Sequence, residues 1–428
     1  MLRTSSIPAL AVLQNRDFRI LWAARSIHEV SRRMELLVLG YLILQMTDSA
    51  FQVGLIAVFL NAPRPVLSLF AGVIADRIDR RRVMIGVHAA FFGIAIALLV
   101  LLITDSIQPW HVFIAVFLQG AAKVFDDPSR RTAIFDLTGQ RRIANAMSLE
   151  TISNNGGKIL GPLAGGLLIA GANFTGAYAL LAALDLATLL LMLRLRLPRQ
   201  GQASRLETTV WHSLREGIEH SLANRMVLGV LCISLVVNAL VFPIQYFIPV
   251  IASDLLKVGP TLGGLLGAAE GIGTLMGASI IAMRRDIRYH GRLFVAGALL
   301  VSLAVMLVGW SPWFALSFIL LLLGGIAQAG FSTMQSTVLL LASAPEMRGR
   351  TAGAVGTVNG LGHLLGGSEI GAIASAFDIG LAIGLNAAAG LLLILPVIFL
   401  TPLAWRPVAT VPVDAGDPHD NPEVTASS

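Results

Sequence analysis

The sequence predicts an all-α integral membrane protein of about twelve transmembrane helices, arranged in two six-helix halves. Three observations lead there. Of the 428 residues 55% are hydrophobic and only 13% charged, whereas a soluble chain keeps about a quarter of its residues charged to coat its surface. Apolar runs of about 20 residues, enough to cross a bilayer, recur from Phe18 almost to Leu400. Those runs lack the strict alternation of a barrel strand, and lipid offers backbone groups no partner, so each run must be a helix.

The expected spans are 18–46, 51–75, 83–103, 110–135, 145–170, 175–194, 226–251, 259–283, 292–310, 313–341, 351–377 and 380–400. Every second connection is basic. Arg77, Arg80, Arg81 and Arg82 follow the second span, Arg141 and Arg142 the fourth, Arg284, Arg285, Arg288 and Arg292 the eighth, and Arg348 and Arg350 the tenth. The alternate turns hold Asp48, Asp105, Asp254 and Asp378. By the positive-inside rule both termini face the cytoplasm of a cell inner (plasma) membrane. The same placement accounts for the net charge of +6 and argues against nucleic acid as a partner. The first residues, MLRTSSIPALAVLQNRDF, have no small-residue cleavage site, so the first span is expected to be the insertion signal. The lone Cys232 excludes an intramolecular disulfide and a Cys-based metal site.

One long polar connection divides the chain. It separates residues 1–197 from 226–405 by a cytoplasmic loop, 198–225, and a tail from 406 to 428 has a disordered composition. In the loop Trp211, Leu214, Ile218 and Leu222 share one helical face, fit to lie on the membrane surface or to pack under the bundle. The halves carry an echo. Asn154, Gly157, Gly161 and Gly166 recur at one offset as Asn359, Gly362, Gly366 and Gly371. Internal repetition of this kind is expected of secondary transporters.

After the second span stands GVIADRIDRRR, residues 72–82, which resembles the first signature of the major facilitator superfamily. The fifth span holds GKILGPLAGG, residues 157–166, similar to the motif of that superfamily's antiporters. Gly157, Gly161 and Gly165 offer a small-residue face, Lys158 and Gly166 complete the motif, and Pro162 adds a bend. VFDDPSRRTAIFDL at 124–137, IANAMSLETISNNGGKILGP at 143–162 and PEMRGR at 345–350 resemble the drug/proton antiporter subgroup, which includes enterobactin exporters and macrolide efflux proteins. Arg32 and Arg33 depart from it, standing where relatives often carry small or aromatic residues. The resemblance implies the major facilitator fold and a gating latch formed by Gly72, Asp76, Arg77, Arg80 and Arg81. In that latch Asp76 meets the start of the eleventh span near Thr351, and Arg80 pairs with Asp126 or Asp127.

Charges inside a bilayer are costly, so intramembrane ionisable residues are functional candidates. Arg25, His28, Glu29 and Arg32 share a face of the first span, and Glu29 can pair with Arg25, Arg32 or Arg33. The resemblance implies a cavity lined by spans 1, 4, 7 and 10, which makes Lys123 and Asp126 the neighbours of that face. Net positive character there suits an anionic or zwitterionic substrate. Proton coupling needs a carboxyl that can change its protonation. Glu270, with no cation within a turn of its own helix, is the first candidate. Glu29 sits among cations, and Asp185 lies in the sixth span, a helix more often peripheral. Asn238 and Gln245 in the seventh span, and Gln328 and Ser332 in the tenth, supply neutral hydrogen-bonding groups for a cavity or for helix packing.

No metal-ligand pair, nucleophile motif or phosphate-binding loop stands in the chain, which argues against an enzyme, a cofactor or a primary pump. The expectation is a monomeric, proton-coupled exporter of small amphipathic compounds, drug or siderophore-like, with protons and membrane lipid as its other partners. The alternative is an importer, or a lipid or metabolite transporter on the same fold.

Overall fold

The computed structural model describes residues 12–67, 79–197, 224–284, 288–343 and 347–406. Gly72, Asp76 and Arg77, the amphipathic stretch of the central loop and the tail after 406 lie outside them. Among the described residues all regular structure is helical. α1 is Arg16–Thr47, α2 is Ala50–Asn61 with further helical turns to Leu67, and α3 is Arg80–Ile103. Asn15, Ser49 and Asp79 begin these helices by accepting from first-turn amides.

From Pro109 to Arg194 the chain is helical except at Gly139 (φ 65°), Ala172 and Asn173 (φ 57°). The three parts are α4 (109–138), α5 (140–171) and α6 (174–194). The turn expected over several residues between the fourth and fifth spans is thus one left-handed residue, a conformation open to glycine for want of a Cβ.

α7, Arg225–Leu240, is shorter than the expected 226–251. Pro243 and Pro249 carry no amide hydrogen, and the chain breaks there. A 3-10 turn (Phe242–Tyr246), a short turn (Ile248–Val250) and a π turn (Ile251–Leu255) follow. α8 is Pro260–Met283, α9 His290–Gly309, α10 Phe314–Ala342, α11 Arg348–Ala376 and α12 Ile379–Leu400.

Eight segments among the described residues are long and apolar enough to cross a membrane. α1 and α11 have the length but are more polar, α1 through its charges and α11 through its small and hydroxylated residues. Large apolar side chains such as Leu160, Leu167, Leu392 and Phe399 face outward, where lipid would meet them. Exposed Trp110, Trp310 and Trp313 lie near the end that carries Asp105 and Asp378, and Trp405 and Tyr289 lie near the arginine-rich end. Aromatic residues favour both membrane interfaces. These are called the acidic end and the basic end below.

Residues 12–197 meet residues 224–406 chiefly through two helix pairs, α5 on α8 and α2 on α11, while α1 packs on the broken stretch after α7. The glycine echo has a physical counterpart. A Cβ at Gly157 would lie 2.8 Å from Glu29 of α1, and one at Gly362 would lie 2.7 Å from Asn238 of α7. Gly166 meets Gly264 of α8, and Gly371 meets Phe51 of α2. These contacts run from the middle of the bundle to the acidic end. Nearer the basic end of α11, Gly353 and Gly356 have nothing within 4 Å of an added Cβ.

Candidate functional site

α1 presents two polar faces. Residues 25, 29 and 32 turn toward α5 and α4, whereas 28, 31 and 35, at helical spacing, turn toward α3, α4 and α6. His28, expected beside Glu29, instead packs with His88 (ring centroids 5.0 Å apart) and Phe91 (4.8 Å) of α3. One step along a helix rotates a side chain by about 100°, enough to separate neighbours 28 and 29.

On the first face Glu29 is paired with Arg25 and, at 2.8 Å, with Arg32. Arg25 also lies 3.7 Å from Glu150 of α5. The Glu150 carboxylate is paired with Arg130, which reaches Asp127 at 3.2 Å and Asp126 at 3.5 Å. Arg64 of α2 is 3.9 Å from Asp127, and His88 is 3.8 Å from Asp126. Four carboxylates and four guanidiniums therefore form one mostly buried network joining α1, α2, α4 and α5. Buried charges hold only when paired in this way. Glu150 was not singled out from the sequence. It stands seven residues, two helical turns, before Gly157, so it shares the α5 face that meets α1.

The latch pairing differs from expectation. Arg80 bonds Asp136 at 2.5 Å rather than Asp126 or Asp127. Those two lie nine or ten residues deeper in α4, about 15 Å along the axis, beyond the reach of a side chain at the basic end. Arg81 donates to the backbone carbonyls of Leu193 and Leu195, tying α3 to the end of α6.

A second cluster crosses between the two segments. Lys158 of α5 donates to Glu270 of α8 at 3.1 Å and to Gln328 of α10 at 3.0 Å, and Gln328 also accepts from Thr274 at 2.9 Å. Glu270 is thus a paired acid, not the lone carboxyl its own helix suggested, because its cation comes from another helix. Beside it Arg33 donates to Gln245 at 3.1 Å. Arg33, Lys158, Gln245 and Glu270 line one cavity with Leu266 and Leu321.

A third cluster lies on the other face of α1. Ser31 donates to Asp185 at 2.9 Å, and Glu35 accepts from Gln119 at 2.7 Å and from Tyr178 at 3.5 Å. Asp185, expected in a peripheral helix, is buried against α1. Lys123 lines this cavity with Arg32. Among the described residues neither Lys123 nor Arg33 has a carboxylate within ion-pair distance.

Two expected cavity residues stand apart. Asn238 donates to Asn359 at 3.1 Å and to its own helix, and Ser332 donates to the Gln328 carbonyl one turn back. Both serve helix packing. In the fifth-span motif, Cβ atoms at Gly157 and Gly161 would collide with α1, Gly165 packs on Met34, and Gly166 and Pro162 meet α8.

A family profile described as "Transmembrane secretion effector" matches residues 7–427. The enterobactin exporter EntS of Escherichia coli O1:K1 / APEC is 27% identical over 367 residues, 83% of this chain and 85% of that protein. EntS of Shigella flexneri is 28% identical over 365 residues, 83% of this chain and 84% of its own. Among solved structures, the nucleoside transporter NupG superposes with a TM-score of 0.71 at 14% identity, covering 90% of this chain and 99% of its own. A bacterial homolog to the human lysosomal transporter Spinster, inward-facing and unoccupied, gives 0.67 at 17% identity, with 94% and 96% covered. At such identities these two establish the fold alone.

Proposed function

The chain belongs to the transmembrane secretion effector family of the major facilitator superfamily, and from that premise we propose that it is a proton-coupled exporter of small amphipathic compounds. It sits in the inner membrane with its basic end and both termini in the cytoplasm. Residues 1–197 and 226–405 act as two related six-helix halves that rock about a central site, exposing it alternately to either side. The chemistry is binding and release, with no covalent step.

One observation carries the reading. The two segments touch from the level of Lys158 and Glu270 outward to the acidic end. The charged site at that level therefore faces the basic end, where cytoplasmic substrate would enter. Arg33 and Lys123, cations without acid partners among the described residues, supply the attraction for an anionic or zwitterionic group. Gln245 is the neutral donor and acceptor beside Arg33. Glu29 and Glu270, each held by cations, belong to this binding and gating network. Similarity to proteins named as enterobactin exporters over 83% of the chain supports export over import and a siderophore-like substrate.

The test is efflux of enterobactin and of a dye and antibiotic panel from pump-deficient cells, with and without a protonophore. Efflux that the protonophore abolishes is the expected result. Efflux that ignores the proton gradient and follows ATP or another ion refutes the proton-coupled exporter.

A further inference from the structure

We propose that Glu35 and Asp185 form a paired proton-binding site inside the first six helices, in a cavity other than the one lined by Arg33, Lys158 and Glu270, bordered by Lys123 and reached from the basic end past His88 and His28. As the site of coupling, this inference rests on the proton-driven reading above.

The geometry is that of a site for a proton. Both carboxyls are buried, 7% and 6% exposed, and they line one cavity between α1, α4 and α6. Among the described residues neither is ion-paired to a cation. Their partners are the neutral donors Gln119, Tyr178 and Ser31. Two carboxyls lining one cavity away from water cannot both ionise cheaply, so a proton resident on one of them lowers the energy of the pair. The charged and titratable groups around them come from each packed helix. His28 and Arg32 face the cavity from α1, Lys123 from α4 and Tyr178 from α6, while His88 stands behind His28 on α3. Arg32 is engaged by Glu29, and Lys123 lines the same cavity.

A route leads to it. His88 Nε2 lies 3.8 Å from Asp126, which belongs to the charged network nearer the basic end, and the His88 ring meets His28 edge-on at 5.0 Å. His28 lines the cavity, and its Nδ1 has no hydrogen-bond partner among the described residues. A hydronium ion at the basic end gives its proton to His88 as its O–H bond breaks and leaves as water; the proton then passes to His28 and to one carboxylate oxygen, each N–H bond breaking as the next bond forms. Release reverses these steps.

The position suits coupling. Glu35 and Ser31 fasten α1 to α4 and α6, while the opposite face of α1 carries Glu29 and Arg33, and Arg32 stands between the two. A change in proton occupancy alters how α1 sits on α4 and α6, and so moves the wall of the substrate cavity.

The site can be read without a substrate. Infrared difference spectra of the purified protein, acid against alkaline buffer, should contain a carbonyl band from a protonated buried carboxyl. The band should shift in Glu35→Gln or Asp185→Asn alone and vanish in the double variant. A band unchanged in the double variant overturns the site. In proteoliposomes, both single variants should keep enterobactin exchange at equal pH while losing uptake driven by a pH gradient. Gradient-driven uptake that survives in both overturns the coupling role. Wild-type protein that exchanges enterobactin but ignores the gradient overturns the proton-driven reading, while the infrared band still decides the site.

Discussion

The Lys158–Glu270 pair should behave as the bolt of the closed acidic end. It joins α5 to α8 at 3.1 Å, at the inner limit of the contacts between the two segments, with side chains only 16% and 25% exposed. Removing one partner of a fully buried pair costs about 3–5 kcal/mol. Partial exposure moves the expectation toward the lower range for a charged hydrogen bond, about 1.5–3 kcal/mol. That energy is lost chiefly in the arrangement where α5 and α8 touch. Glu270→Gln should therefore shift the population toward an open acidic end by about 10- to 150-fold, at roughly 1.4 kcal/mol per factor of ten. The assay places a cysteine at Gln45, which lines the acidic-end hollow with Tyr41 and Asp254. In a Cys232→Ala background its reaction with a membrane-impermeant maleimide should be faster in Glu270→Gln. Exchanging the charges, Lys158→Glu with Glu270→Lys, should restore the slow rate. A labelling rate unchanged by Glu270→Gln would refute the reasoning.

Two further outcomes follow from the same architecture. Gly166→Leu places a side chain into α8, whose Gly264 Cα would lie 2.9 Å from the added Cβ, and overpacking of this kind costs typically about 1–3 kcal/mol. The apparent melting temperature should fall and efflux should cease, whereas Gly156→Ala, with nothing within 4 Å of its Cβ, should match wild type in both measurements. Asp76→Asn should abolish transport while the protein still reaches the membrane, and normal efflux by that variant would remove the latch assignment.

What the sequence made legible was set by the range of each interaction. Span positions depend on runs of neighbouring residues and on charge in the turns, and α1, α3, α8 and α12 fall within a few residues of expectation. The break after α7 was also written locally, in Pro243 and Pro249. Transmembrane helices often tolerate proline because neighbouring helices re-satisfy the freed backbone, so those residues alone did not distinguish a bend from a break. The single-residue turn at Gly139 was obscured for a similar reason, since the polar stretch around it resembles a longer loop.

The site was legible as a set of residues but not as a set of pairs. Helical spacing placed charge on α1, yet it could not assign Glu29 to Arg25 and Arg32 while sending His28 to another helix. Glu270 makes the limitation plain. Within its own helix it looks like an unneutralised acid, and the cation that answers it stands 112 residues earlier, on α5. Glu35 is the converse case. It lies three residues from Arg32 and two from Arg33, so sequence proximity suggests an ion pair, yet the helix turns it to Gln119 and Tyr178. In a bundle where every buried charge needs an answer, proximity along the chain and proximity in space assign opposite roles to these two acids. Spatial pairing makes Glu270 part of a bolt and leaves Glu35, with Asp185, to neutral partners among the described residues.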